Sequence, residues 1–200
     1  MPLYRSLPLA FATAAVLALS GCATSTANLS AASVGAYRDT IDLNGKIAVT
    51  YQNNNETNRV GGRFSWTQRP GHIEVSMFDP FGQTVAEISV TPDSATLTQP
   101  KRAPRTEKDI DTLTRQALGY SLPVAGLRDW LQGYATDAQG KRFVASPANN
   151  NVFTRDGWQL RFVDWQKGTA TPMPRLIKAE RSATAGSGDL AISITIFPES

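Results

Sequence analysis

The chain has 200 residues, with 20 lysines and arginines against 17 aspartates and glutamates, one histidine and one cysteine, for a formal net charge of +3. So weak a basic bias leaves no electrostatic footprint for nucleic acid, and a lone cysteine excludes an intramolecular disulfide. The length suits one domain able to bury most of its apolar surface.

At the N-terminus Arg5 supplies a positive charge, and Leu7 to Leu19 is apolar apart from Pro8 and Thr13. As a helix this stretch covers about 20 Å at ~1.5 Å per residue, short of the ~30 Å hydrocarbon core. It reads as the core of a signal peptide rather than a permanent span. It runs into Leu19-Ser20-Gly21-Cys22, which resembles the bacterial lipobox, in which small residues precede a cysteine whose thiol accepts diacylglycerol. An ordinary secretory signal would instead leave a free thiol at the cut. Residues 1–21 are expected to be a lipoprotein signal peptide, and Cys22 to be lipidated and to anchor an otherwise soluble polypeptide. By the sorting rule of Gram-negative lipoproteins, an Asp after the cysteine retains the protein at the inner membrane. Ala23 therefore implies the periplasmic face of the outer membrane.

Residues 22–36 are small and polar, and read as a tether ending in a short helix near Tyr37. The folded domain is expected over residues 37–200. From Leu43 the hydrophobic period is two. Gly45, Ile47, Val49 and Tyr51 share one face, and Asn53-Asn54-Asn55 form a loop. Gly62, Phe64 and Trp66 then alternate with Arg63, Ser65 and Thr67. The pair Gly61-Gly62 predicts a bulge or bend rather than a phosphate loop. After a turn at Arg69-Pro70-Gly71 come Ile73, Val75 and Met77, a second turn at Asp79-Pro80-Phe81-Gly82, and the alternating Ala86, Ile88 and Val90. These are the marks of an antiparallel meander with one apolar face.

Thr106-x-x-Asp109 predicts a helix start, followed by Ile110, Leu113, Ala117 and Leu118 at helical spacing. A second short helix opens at Pro123 and carries Leu127, Trp130 and Leu131 up to Gly133. Strands return over Phe143 to Phe153, Trp158 to Trp165, Arg175 to Arg181 and Leu190 to Phe197. A single-faced sheet of this many strands must curl and cover its apolar side. The expected fold is mainly β: a strongly curved antiparallel sheet forming an incomplete half-barrel, with short α-helices covering an apolar cavity. Its interior would be lined by Ile47, Val49, Phe64, Trp66, Val75, Met77, Ile88, Trp158, Leu160, Phe162, Ile192 and Ile194. The alternative is that these side chains simply fill a core.

Little here points to catalysis. His72 sits beside a turn on the polar side of a strand, no Gly-x-Ser-x-Gly elbow is present, and no cluster of His, Cys, Asp or Glu has metal-ligand spacing. No cofactor or metal is expected. Lys101, Arg102, Arg105 and Lys108 form a basic cluster that suits phospholipid head groups or an acidic partner, or else a solvated hairpin tip. In the second turn, Pro80 fixes φ and Gly82 permits a positive φ, which tends to push Phe81 outward. The alternative places Phe81 as a plug over the strand ends.

Leu43-Asn44-Gly45-Lys46, Gly62-x-Phe64-x-Trp66, Pro80-Phe81-Gly82, Leu122-Pro123, Trp130-Leu131-x-Gly133, Gly157-Trp158 and Pro172-x-Pro174 follow one another behind the lipobox. In that order they resemble the LolB family of outer-membrane lipoproteins over roughly residues 42–197. Two departures stand out. The family's turn usually carries Leu where Phe81 stands, and Ile196-Phe197 replaces a Trp common near its C-terminus. The resemblance implies a monomeric receptor that takes lipoproteins from the periplasmic carrier LolA and holds their acyl chains in the cavity. It also implies delivery into outer-membrane lipid, with Phe81 as the insertion tip. A structural envelope lipoprotein binding a protein through its curved sheet is the competing reading.

Overall fold

The structure, a computed structural model, describes residues 31–53, 56–183 and 188–198. The expected signal peptide, Cys22 and most of the tether lie outside the described residues, as do Asn54 and Asn55.

The meander forms as the alternation requires: β1 (Ile41–Asn53), β2 (Glu56–Arg69), β3 (His72–Phe78) and β4 (Thr84–Val90). Two short strands then follow, β5 (Ala95–Thr98) and β6 (Arg105–Glu107). Helices α1 (Ile110–Leu118) and α2 (Val124–Trp130) lead into β7 (Tyr134–Thr136), β8 (Arg142–Val144) and β9 (Asn151–Phe153). The chain finishes with β10 (Gln159–Trp165), β11 (Pro174–Arg181) and β12 (Leu190–Ile196). Ten strands make one sheet in the order β6-β5-β4-β3-β2-β1-β12-β11-β10-β9, while β7 and β8 pair separately. The last strand closes against the first in antiparallel register, with Ile47 opposite Ile194 and Val49 opposite Ile192. Strands β6 and β9 remain as two separate edges, so the sheet curves without closing into a barrel. That is the half-barrel expected from the sequence. Among the described residues no helix is long and apolar enough to cross a membrane.

Several local expectations are corrected. Thr106 does not cap α1; it lies in β6, its hydroxyl 2.9 Å from that of Thr96. The cap is Asp109, whose carboxylate accepts the Thr112 N–H at 2.8 Å and the Thr112 hydroxyl at 2.9 Å. A short polar side chain in extended backbone serves there better than one already paired in a sheet. The single strand expected over Phe143 to Phe153 is split. Ser146 and Asn149 bond each other's backbone at 3.0 and 3.1 Å, and Pro147 between them has no N–H to give a ladder. The pair Gly61-Gly62 carries no bulge, since Ile47 pairs with Gly62 and Ala48 with Gly61 in unbroken register. A Cβ on Gly62 would lie 2.7 Å from the Phe78 carbonyl oxygen, so close backbone approach is what requires glycine.

No helix forms near Tyr37. Instead Val34 is buried and its N–H donates to the Ala145 carbonyl at 3.0 Å. The Tyr134 hydroxyl donates to the Gly35 carbonyl, and the Tyr37 and Tyr134 rings meet edge to face at 5.5 Å. Among the described residues packing begins at Val34, because Val34 and Tyr37 bring apolar surface that the core takes up.

Candidate functional site

Between the concave face of the sheet and the two helices lies a cavity of about 290 Å³. That volume is at the low end of the range for small-ligand pockets. Its floor comes from inward positions of β1 to β5 and β12: Ile47, Val49, Phe64, Trp66, Val75, Met77, Ile88, Leu97 and Ile194. The roof is the apolar stripe of the helices and their connection, with Leu118, Leu122, Val124, Leu127 and Leu131. No lining residue is charged. The polar groups among them are few and restrained. The Trp66 indole N–H donates to the buried Gln68 amide oxygen at 3.4 Å. Tyr120 packs against Tyr51 with ring centres 4.4 Å apart and planes tilted by 35°. Burial first, and the neighbouring Tyr51 second, push the Tyr120 hydroxyl up to about 12, so it stays neutral. Gln99, Val60 and Val85 complete the lining, and the two valines, 44% and 43% exposed, mark its rim.

Eight of the twelve side chains expected in the interior line this cavity: Ile47, Val49, Phe64, Trp66, Val75, Met77, Ile88 and Ile194. The other four, Trp158, Leu160, Phe162 and Ile192, point inward but are packed as core, each no more than 2% exposed. Trp130 of α2 covers Trp158 at 5.6 Å, and Phe143 of β8 stacks on Phe162 at 6.2 Å. The half-barrel therefore has two parts, a filled one under Phe143 of β8 and Trp130 of α2, and an open one under the end of α1, the α1–α2 connection, and Val124, Leu127 and Leu131 of α2 and its cap. Val60 continues the alternation of Gly62, Phe64 and Trp66 and stands opposite Val49, whereas Val85 falls at the irregularity between β3 and β4 and β5 is too short to announce Leu97.

The turn after β3 presents Phe81 at 88% exposure. Asp79 builds this turn: one carboxylate oxygen accepts the Phe81 N–H at 2.8 Å and the Gln83 N–H at 2.9 Å. Its carbonyl accepts from Gly82 at 3.1 Å, and Gly82 takes φ 85°. Phe81 therefore stands outward and does not fold back as a plug. Lys101, Arg102, Arg105 and Lys108 are all exposed. The hairpin between β5 and β6 gathers the first three, while Lys108 lies beyond β6 at the start of α1. His72 lies outside the cavity, its Nε2 3.0 Å from Glu74 Oε1.

The family model described as outer membrane lipoprotein LolB matches residues 39–196. A curated relative of that name from Cupriavidus taiwanensis is 35% identical over 161 residues, covering 78% of each chain. Another from Cupriavidus necator is 36% identical over 155 residues, covering 77% of each. A third, from Thiobacillus denitrificans, is 34% identical over 167 residues, covering 82% of this chain and 86% of the relative. Among solved structures, a LolA superfamily protein from Nitrosomonas europaea aligns over 82% of this chain and 87% of its own, at 8% identity and a TM-score of 0.47. On the span of the family match and the identity of these relatives, the chain belongs to the LolB family.

Proposed function

We propose that the chain is an outer-membrane receptor for lipoproteins, itself lipidated at Cys22. It takes cargo from the periplasmic carrier LolA, shelters the cargo's acyl chains in the cavity, and releases them into outer-membrane lipid at the end that carries Phe81. The observation that supports this reading is the cavity itself, an opening in a half-barrel with no charged side chain in its lining.

Each CH₂ kept from water is worth about 0.8 kcal/mol, so a triacylated protein does not cross an aqueous space unshielded. A receptor without nucleotide chemistry passes cargo only downhill. It must bind acyl chains more tightly than the carrier and less tightly than the bilayer. The cavity is at the low end for small-ligand pockets, and in this reading α1 and α2 move away from the sheet as the acyl chains enter.

The test uses purified chain, carrier loaded with a labelled lipoprotein, and a fluorescent fatty acid. The fatty acid should bind the chain and be displaced as the lipoprotein leaves the carrier. A chain that binds no fatty acid and takes no lipoprotein, yet captures an envelope protein, would overturn this reading in favour of a structural role.

A further inference from the structure

The hairpin joining β5 and β6 projects from the same end of the sheet as Phe81 and the cavity rim. Thr98 is in register with Glu87 of β4, and β4 begins at Thr84, just after the Phe81 turn. Across the strands the two reversals are two spacings apart, about 10 Å, and along them Thr98 lies level with Glu87, three residues from the start of β4. At the hairpin tip Arg102 N donates to the Gln99 carbonyl at 3.2 Å. Pro100 takes the second position of this turn, and Lys101 takes the third at φ 60°. Glycine or asparagine is the usual occupant of that place. Among the described residues Lys101 is the only non-glycine with positive φ. A cation thus stands where the backbone favours a residue with no Cβ. Arg105 is paired with Leu97, and directly opposed residues share a face. Its side chain therefore starts on the cavity side, at the rim. Residues 99–105 contain no acid, and among the described residues none of the three cations enters an ion pair.

One end of the molecule therefore combines an apolar tip 88% exposed, an apolar-rimmed opening and three uncompensated cations. Cations beside an exposed apolar group are the pattern of interfacial membrane binding. An acidic protein surface would satisfy the cations and leave Phe81 in water. We infer that Lys101, Arg102 and Arg105 bind the anionic head groups of phospholipid, and that they seat this end so that the cavity mouth opens onto the bilayer. The purpose of this seating rests on the receptor reading above; the contact itself does not.

The test uses the full lipidated chain in vesicles. Because Cys22 is the only cysteine and its thiol is acylated in the receptor reading, Ala103→Cys provides a single site for an environment-sensitive dye. The dye should report bilayer contact in vesicles containing phosphatidylglycerol and not in phosphatidylcholine alone, and high salt should release it. The triple variant Lys101→Gly/Arg102→Gln/Arg105→Gln should keep the fold by circular dichroism, glycine being suited to that φ. It should lower the ratio of contacting to free hairpin on the order of 100-fold, about fivefold per cation, with fatty-acid uptake unchanged. Equal contact in both vesicle types, no contact in either, or no effect of the triple variant would overturn the inference. Contact that needs added carrier would assign the cations to a protein partner, and a parallel loss of fatty-acid uptake would assign them to the cavity. If the hairpin meets anionic vesicles while the unaltered chain takes up no fatty acid, the inference stands and the receptor reading fails.

Discussion

Gln68, fully buried, stands two residues from Trp66 on the same face of β2 and accepts its indole N–H at 3.4 Å. The same amide donates to the Tyr37 hydroxyl at 3.1 Å and to the Arg38 carbonyl at 3.4 Å. Arg128 of α2 donates to that hydroxyl as well, at 3.1 Å, and approaches Asp39 at 3.7 Å. A wall residue of the cavity is thereby linked to the chain entering from the N-terminus and to one of the covering helices. Local alternation places Trp66 inward; the network decides how its ring lies.

Gln68→Leu should leave the Trp66 indole N–H without its acceptor, while the Arg38 carbonyl keeps the Gln132 amide at 3.0 Å. A buried polar group left unpaired costs about 1–3 kcal/mol, and each kcal/mol lowers Tm by roughly 2–4 °C in a domain of this size. Tyr37→Phe should cost less, because Gln68 keeps the Arg38 carbonyl and Arg128 keeps Asp39. Thermal unfolding checks both. Equal Tm for Gln68→Leu and the unaltered chain would make the network incidental.

Met77 lines the open part of the half-barrel, and Phe162 is packed in the filled part. Met77→Glu puts a carboxylate into the cavity wall, at a cost of several kcal/mol unless it is protonated. Fatty-acid binding should be lost in a protein that still folds. Phe162→Ala should cost about 3–5 kcal/mol of stability and leave fatty-acid affinity little changed in whatever fraction is folded. Unaltered lipoprotein transfer by folded Met77→Glu would show that cargo lies elsewhere.

The difference between these two residues was not legible in the sequence. Period two places Met77 and Phe162 inward alike. What sets them apart is that Phe143 of β8 and Trp130 of α2 dock over one half of the sheet, and no local pattern records a contact made at such chain separation. The long strands were legible because a half-buried strand must alternate, as Leu190 to Ile196 does throughout. Strand β5 was not, since its four residues leave only Ala95 and Leu97 as buried positions. The turn at Ser146 was legible, since Ser146, Pro147 and the run Asn149-Asn150-Asn151 are turn residues inside the stretch expected as one strand.

Asp109 and Asp111 at the start of α1 are displaced in opposite directions. Hydrogen bonds from the Thr112 backbone and then its hydroxyl hold Asp109 below the usual carboxylate range. Burial first, and repulsion from Asp109 second, raise Asp111, with Arg115 and Arg181 opposing. A lowered folded pKa contributes stability above the unfolded value of about 3.9, and that stability is lost as pH falls through the folded value. A raised one contributes stability below about 3.9 that is lost as pH rises through the folded value. Asp109→Ala should therefore lower Tm at neutral pH, with the gap narrowing in acid. Asp111→Asn should raise Tm at neutral pH and match the unaltered chain in acid. A lower Tm for Asp111→Asn at neutral pH would mean that the favourable helix-dipole interaction of this first-turn acid outweighs its desolvation.

Phe81 carries the most direct test of delivery. Its turn is held by four hydrogen bonds centred on Asp79 and none requires the aromatic ring, so substitution at the tip should leave the fold intact. An apolar side chain at 88% exposure gains nothing in the monomer and gains transfer free energy only on entering another apolar phase. The cavity lining does not include Phe81, so cargo acceptance should not depend on it. Phe81→Glu should fold, bind the fluorescent fatty acid, draw lipoprotein from the carrier, and then retain it in the presence of outer-membrane vesicles. Phe81→Leu, which keeps an apolar tip, should deliver at close to the unaltered rate. The decisive readout is cargo in the vesicle fraction at matched cargo loading. If folded Phe81→Glu delivers normally, the tip has no part in insertion; if it fails already at uptake from the carrier, Phe81 belongs to the docking surface instead.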